Sequence, residues 1–276
     1  MFEKNRFGVM QGRLLPKFNG RYQAHPLGYW EEEFSIAENL GLDCVEFILD
    51  YNDFQLNPLL SSNGIDDILA VVERTGITVE TVCADYFMEA PLHSDNDDVA
   101  KASQNILRNL VSNGARLGLS NIVIPCVDQS ALRSQKEIKR FIASVEQVIG
   151  DFEDKGIYLS LETDLPPGPF SELLNAFDSD RVSVNYDIGN SAALGFNPED
   201  EFKSYGNRIT DVHIKDRMLH GGPVKLGCGN ADFELCFNKL RETEYSGPFI
   251  MQAYRDDEGV ALFKEQLLWI FQKFER

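Results

Sequence analysis

Tyr158–Arg255 holds four short apolar runs: YLSLETD (Tyr158–Asp164), RVSVNYDIGN (Arg181–Asn190), ITDVHIKDR (Ile209–Arg217) and GPFIMQAYR (Gly247–Arg255). Three of them carry a metal-ligating residue type near the end, Glu162, Asp187 and His213. The fourth carries an amide, Gln252. Parallel α/β barrels build their sites in this way, with one polar side chain at the far end of each of several strands.

Working outward, the same punctuation recurs. Upstream strand candidates are Phe7–Gln11, Asp43–Asp50, Thr78–Asp85 and Asn121–Asp128. Between them, apolar residues recur at helical spacing over Trp30–Leu40, Ile65–Thr75, Asp97–Leu117 and Gln135–Lys155. Gly41, Gly76, Gly118 and Gly156 stand where those helices should stop. Downstream, short helices are expected up to about Asp178 and over Pro198–Tyr205, then at Asp232–Thr243 and Glu258–Phe274. The strand runs mostly lack alternation, as parallel strands covered on both faces do. Eight strand–helix units predict an α/β chain folded as a single (β/α)8 TIM barrel domain over residues 1–276. No strand runs straight into a G-x-G-x-x-G opening a helix, which a doubly wound dinucleotide-binding sheet would need.

The totals fit a soluble globular protein. Hydrophobic residues make up 43% and charged residues 25% of the chain, ordinary values for a globular protein. A net charge of −18 opposes phosphate backbones, so no nucleic-acid partner is expected. No apolar run approaches the ~18 residues of a membrane span, and the polar N-terminus is no signal peptide. The five cysteines are odd in number and irregularly spaced, which reads as buried thiols in a reducing, cytoplasmic setting.

The strand ends supply the candidate chemistry: Gln11 and Arg13, Glu46 and Asp50, Asp85, Asp128, Glu162 and Asp164, Asp187 and Asn190, His213 to Arg217, and Gln252 with Arg255. A lone aspartate there is usually a helix cap, and Asp50 and Asp128 are taken as caps or solvated residues. Glu162 and Asp187 differ. Two carboxylates inside apolar strands repel one another and lose hydration unless a cation joins them. With His213 they predict a divalent metal site, and Gln252 is a fourth ligand by position. Oxygen ligands with one imidazole suit Mn²⁺, Co²⁺ or Mg²⁺, with Fe²⁺ and Zn²⁺ also open, rather than a thiolate zinc centre. Such a cation polarises a sugar carbonyl and its neighbouring hydroxyl, and Glu162 is then the candidate base.

Glu162, Asp187 and His213 with KDR after it, the LGCGNADF loop (Leu226–Phe233) and the GPFIM strand (Gly247–Met251) resemble the sugar phosphate isomerase/epimerase family. That is the xylose isomerase-like TIM-barrel superfamily. VMQGRL (Val9–Leu14), GRYQAHP (Gly20–Pro26) and CADYFM (Cys83–Met88) look like an uncharacterised branch of it. The likeness covers essentially the whole chain. It implies metal-bound glutamates on strands five and eight acting as acid and base on opposite faces of a sugar. Glu162 matches the first, whereas Gln252 stands at the second and cannot exchange a proton near neutral pH. Glu46, Asp85, Lys215 and Asp216 are the nearest substitutes for the second acid. The endonuclease IV branch is excluded, because a trinuclear zinc site needs many histidines and the chain has four.

The expectation is an isomerase or epimerase of a sugar or sugar phosphate working through an enediolate. Glu162, Lys215 and Glu46 are its catalytic candidates. Arg217, Asn190, Arg255, Lys225, Asp85, Arg13 and His25 are its substrate contacts. The loops after strands seven and eight, rich in glycine, are where this barrel often holds a phosphate. The alternatives are a dehydratase-type lyase using the same enolate, and a sugar-binding barrel without activity. A homo-oligomer is compatible with the sequence.

Overall fold

The strands are β1 (Phe7–Met10), β2 (Cys44–Ile48), β3 (Thr81–Cys83), β4 (Asn121–Cys126), β5 (Tyr158–Thr163), β6 (Val182–Asp187), β7 (Ile209–Ile214), β8 (Asp216–Arg217), β9 (Pro223–Val224) and β10 (Phe249–Met251). The computed structural model describes residues 5–256 and 259–274. Eight strands close a parallel barrel in the order β1-β10-β7-β6-β5-β4-β3-β2, and β8 pairs only with β9 in a small antiparallel ladder. The expected (β/α)8 barrel is therefore the observed architecture.

The helices are α1 (Glu32–Asn39), α2 (Ser62–Thr75), α3 (Tyr86–Glu89), α4 (Asp97–Leu117), α5 (Gln135–Glu146), α6 (Ile149–Lys155), α7 (Pro167–Asn175), α8 (Ile188–Leu194), α9 (Pro198–Tyr205), α10 (Phe233–Glu242) and α11 (Ala261–Phe274). Their ends follow local chemistry. Ser61 accepts from the Gly64 amide at the start of α2, and Gly76 closes that helix at φ 73°. Asn96 caps α4 through two amides. Leucine, phenylalanine and valine from these helices and from the outer strand faces form one continuous core. A smaller cluster of Met10, Cys44, Ile48, Cys83, Val123 and Ile250 fills the barrel interior.

Besides the added α3 and the β8–β9 ladder, the structure departs from the expected elements in its helices. The single helix expected over Gln135–Lys155 is two, broken at Gln147–Val148. Val148 leaves helical geometry yet stays buried, and the Gln147 carbonyl freed by the break accepts from Arg108 at 2.6 Å. An unexpected helix, α8, begins directly after Asp187. The last helix begins at Ala261 instead of Glu258, which lies outside the described residues. Of the cysteines, Cys44, Cys83, Cys126 and Cys236 are buried free thiols as expected, whereas Cys228 is exposed in the glycine-rich loop. Among the described residues, no helix is long and apolar enough to cross a membrane.

Candidate active site

Glu162, Asp187 and His213 come from β5, β6 and β7 and converge inside the mouth of the barrel. Parallel pairing sets this up, with Asp187 opposite His213 in the β6–β7 register. All three are buried, and one ligand atom from each lies within 4.8 Å of the others. Burial first, then the Asp187 charge, pushes the Glu162 carboxyl up to about 7, against the opposing pull of His213, Lys215 and Asn190. A cation between the two carboxylates removes that repulsion.

Asp187 ends its strand and also caps α8: its Oδ1 accepts from the Asn190 amide at 2.8 Å. Asp128, taken as a cap or a solvated residue, is exposed, and Asp187 is the strand-end aspartate that caps a helix here. Oδ2 remains for the site, 3.4 Å from Lys215 Nζ and 4.0 Å from His213 Nδ1. Asn190, one turn into α8, donates from Nδ2 to Glu162 Oε1 and accepts from Arg217 Nη1 at 2.8 Å. A helix invisible to the sequence pattern thus ties Glu162, Asp187 and Arg217 into one frame.

His213 is held from behind. Its Nε2 lies 2.8 Å from Glu46 Oε1, and both side chains are fully buried. Asp211 is within 4.8 Å of the same pair, and burial with the neighbouring Glu46 charge raises its carboxyl well above the ordinary range. A carboxylate on one ring nitrogen fixes the tautomer that presents the other as a lone pair. The atom turned toward Asp187 is Nδ1. Burial opposes the charged ring, but Glu46 and the other carboxylates around it raise the imidazole to about 10, so without a cation it holds a proton that a bound metal would displace. Glu46 therefore stands on the far side of the imidazole from Glu162 and Asp187. That geometry corrects its candidacy as the second acid, because the ring separates it from the open face.

Gln252 follows β10, and its amide N–H bonds to the Ile214 carbonyl at 3.0 Å. Its Nε2 donates to Gln23 Oε1 at 2.8 Å, while its Oε1 is buried with no partner. An orphaned amide oxygen costs free energy unless something accepts its lone pairs. Gln252 Oε1 is an orphaned electron-pair donor beside two close carboxylates, and His213 Nδ1, turned toward Asp187, would become one on losing its proton to a cation. This set fits a hard divalent cation with oxygen and imidazole ligands.

The remaining candidates separate. Asp85 is buried and accepts from Gln23 Nε2 at 3.0 Å, with burial raising its carboxyl. Arg13 donates to Gln23 Oε1 at 3.2 Å, so Gln23 joins Arg13, Asp85 and Gln252. Gln23 sits in a loop that offered no periodic signal, and only its place in GRYQAHP could have pointed to it. His25 packs on Phe47 and Trp30, with Nδ1 3.2 Å from Gln11 Oε1. Burial lowers its imidazole to about 4, so it is neutral. Asp50, taken as a cap or a solvated residue, is buried and accepts from the His25 amide and Arg21. Arg217 and Asn190 line a cleft of about 210 Å³ with Asp128, Asp164, Leu194 and His220. Lys225 is not brought to the site: it is exposed and pairs with Glu265 at 3.8 Å.

The glycine-rich loop turns three of its amides on a carboxylate of this chain. The amides of Gly227, Gly229 and Ala231 donate to the Asp216 carboxylate at 2.9, 2.8 and 3.1 Å. A Cβ on Gly229 would stand 2.2 Å from Asp216 Oδ1, so glycine is required for the wrap. Asp216 is thereby committed to the loop.

The family model described as "Xylose isomerase-like TIM barrel" matches residues 34–273. The chain is 26% identical over 241 residues to the L-ribulose-5-phosphate 3-epimerase UlaE of Salmonella paratyphi A, covering 82% of this chain and 83% of that protein. Among solved structures it superposes with TM-score 0.75 on a D-psicose 3-epimerase crystallised in the presence of D-fructose, at 15% identity over 98% of each chain. It also superposes with TM-score 0.71 on a xylose isomerase-like TIM barrel protein from Mycobacterium smegmatis in complex with magnesium, at 17% identity over 98% of this chain and 96% of that one. The last two likenesses show the fold. With the barrel, the strand-end site and a family match across most of its length, the chain belongs to the xylose isomerase-like TIM-barrel family.

Proposed function

We propose that the protein is a divalent-metal-dependent epimerase or isomerase of a sugar or sugar phosphate, moving a proton at a carbon next to a carbonyl. One observation carries this: Glu162, Asp187 and His213 are buried within 4.8 Å of one another, with His213 Nδ1 turned toward Asp187. The names of the relatives, sugar and sugar-phosphate epimerases, support the reading. Glu162, Asp187 and His213 would hold the metal, with Gln252 through its orphaned Oε1. When bound, the cation polarises a carbonyl and the adjacent hydroxyl, which acidifies the C–H between them.

The chain's own groups do the rest. Asn190 holds Glu162 by one carboxylate oxygen and leaves the other for the substrate proton. Glu46 holds the imidazole ring in place. Gln252 cannot carry a proton, Asp216 is bound by three amides and Glu46 is behind His213. Lys215, 3.4 Å from Asp187, is the remaining strand-seven group able to deliver a proton from another direction. Isomerisation needs Glu162 alone, and epimerisation needs Glu162 and Lys215.

Metal removal tests the site. EDTA treatment followed by dialysis is expected to lower the Tm, and Mn²⁺, Co²⁺ or Mg²⁺ is expected to restore it through preferential binding to the folded state. An unchanged Tm, with no metal bound in equilibrium dialysis, would remove the metal from the account.

A further inference from the structure

The chain carries a net charge of −18, yet two arginines come together at the mouth of the barrel, and among the described residues the ion pairs formed by the other cations there do not include them. Arg255 follows β10 and is 7% exposed. Its Nε and Nη1 are buried with no hydrogen-bond partner. Its guanidinium lies over the Tyr22 ring, 4.3 Å from the centroid. Stacking on a ring face holds a guanidinium while leaving its in-plane N–H edge free. Arg13 follows β1 and donates one N–H to Gln23, while its Nε is also buried and unpartnered. The two charges are close enough that Arg255, after burial itself, lowers the Arg13 pKa. The carboxylates that act on Arg13 are Asp187, Asp85 and Glu33. Glu33, which also feels Arg255, is occupied by the Gly12 and Leu14 amides at 2.7 and 2.9 Å, and Asp85 by Gln23 at 3.0 Å. Unpaired buried charges of like sign are costly, and an anion received between them offsets that cost.

The other cations around the mouth are committed. Arg217 donates to Asn190 and twice to the Gly221 carbonyl, and its cleft is shared with Asp128 and Asp164. Lys225 pairs with Glu265, and Arg21 pairs with Asp50. The loop amides suited to a phosphate are taken by Asp216.

We propose that Arg13 and Arg255 form the anion-binding end of the substrate site, receiving the phosphate or carboxylate terminus of a sugar whose carbonyl end lies toward Glu162 and Asp187. This inference rests on the proposed epimerase or isomerase reading and names its substrate class as an anionic sugar. Guanidinium pairs engage both anions through the same parallel N–H bonds. Gln23, bonded to both Arg13 and Gln252, links this end to the metal end.

The test has a binding arm and a turnover arm. Inorganic phosphate, titrated by calorimetry into the EDTA-treated protein, is expected to bind the wild type. It should bind Arg13→Gln and Arg255→Gln on the order of tenfold to a hundredfold more weakly. Arg255→Lys keeps the charge but loses the fork, and its partial recovery of affinity separates anion binding from misfolding. A Tm for each variant without phosphate provides the folding control. Equal affinity in wild type and both glutamine variants would overturn the site.

In the Mn²⁺-loaded protein, a ketopentose phosphate and a keto-uronate are compared with the neutral ketopentose. A kcat/KM preference for either anion that collapses in Arg255→Gln supports the proposal, and the anion preferred identifies the terminus. Equal turnover of neutral and anionic ketoses by the wild type overturns the anion site while leaving the epimerase reading intact. Phosphate binding lost in the glutamine variants, with no proton exchange on any ketose or ketose phosphate, leaves the anion site standing and sinks the epimerase reading.

Discussion

At the residue scale, the distinctive feature is Gln252. A glutamate there would give the site a second metal-bound carboxylate and a second base. The amide instead spends its N–H on Gln23 and keeps a buried, unpartnered oxygen. Glutamine is neutral, so the proposed site carries one negative charge fewer than a two-glutamate site. Gln252→Glu is expected to tighten Mn²⁺ binding on the order of tenfold or more in equilibrium dialysis, because the added charge faces the cation directly. Unchanged affinity would show that Oε1 is not a ligand. The ligand types and strand-end positions of Glu162, Asp187 and His213 were legible in the sequence because barrel strands place their last inward residues at one mouth. The roles of Glu46 and Gln23 were not, because each depends on which atom of a distant side chain it meets. Glu46 is set by the orientation of the His213 ring, and Gln23 by the path of a loop without periodicity.

At the element scale, the strands and most helices could be read from apolar runs and glycine stops, whereas α8 and the β8–β9 ladder could not. The α8 segment, Ile188–Leu194, has seven residues, too few for a 3.6-residue period to declare itself. Its capping signal was hidden in Asp187, read first as a ligand. The KLGCGN segment looked like a phosphate cradle because glycine-rich loops often present free amides. What decides the matter is Asp216, fully buried at the start of the ladder, whose carboxylate collects three of those amides. Asp216→Ala leaves all three without an acceptor and is expected to destabilise the protein by about 2–4 kcal/mol in urea unfolding. A loss below about 0.5 kcal/mol, the scale of an ordinary surface change, would show that the wrap does not organise the loop.

At the scale of the whole molecule, buried carboxylates tie stability to pH. Glu33 lies in α1 beneath the first loop, and burial pushes its carboxyl up to about 7 against the pull of the Gly12 and Leu14 amides. The folded state then holds a proton that the unfolded chain, with its ordinary value of 4.5, has released. Stability is therefore full below the unfolded value, falls as pH rises from about 4.5 to about 7, and is flat above. The size of this contribution is up to about 3 kcal/mol. Other raised carboxyls act with the same sign, so the measurement is a difference. Urea unfolding of the metal-free protein at acidic and mildly alkaline pH should show a smaller drop for Glu33→Gln than for the wild type. An equal drop would assign the pH dependence elsewhere.

The same barrel mouth carries the carboxylates Glu162 and Asp187, proposed to hold a cation, and the guanidinium groups of Arg13 and Arg255, proposed to hold an anion. The most direct measurement is proton exchange in D2O, followed by NMR on a ketose and ketose-phosphate panel with the Mn²⁺-loaded protein, in wild type and Glu162→Gln. The expected result is deuterium at a carbon next to the carbonyl of at least one member with the wild type. Glu162→Gln should show none while still binding some metal. Deuterium incorporation by Glu162→Gln at the wild-type rate, or none by the wild type across the whole panel, would contradict the account.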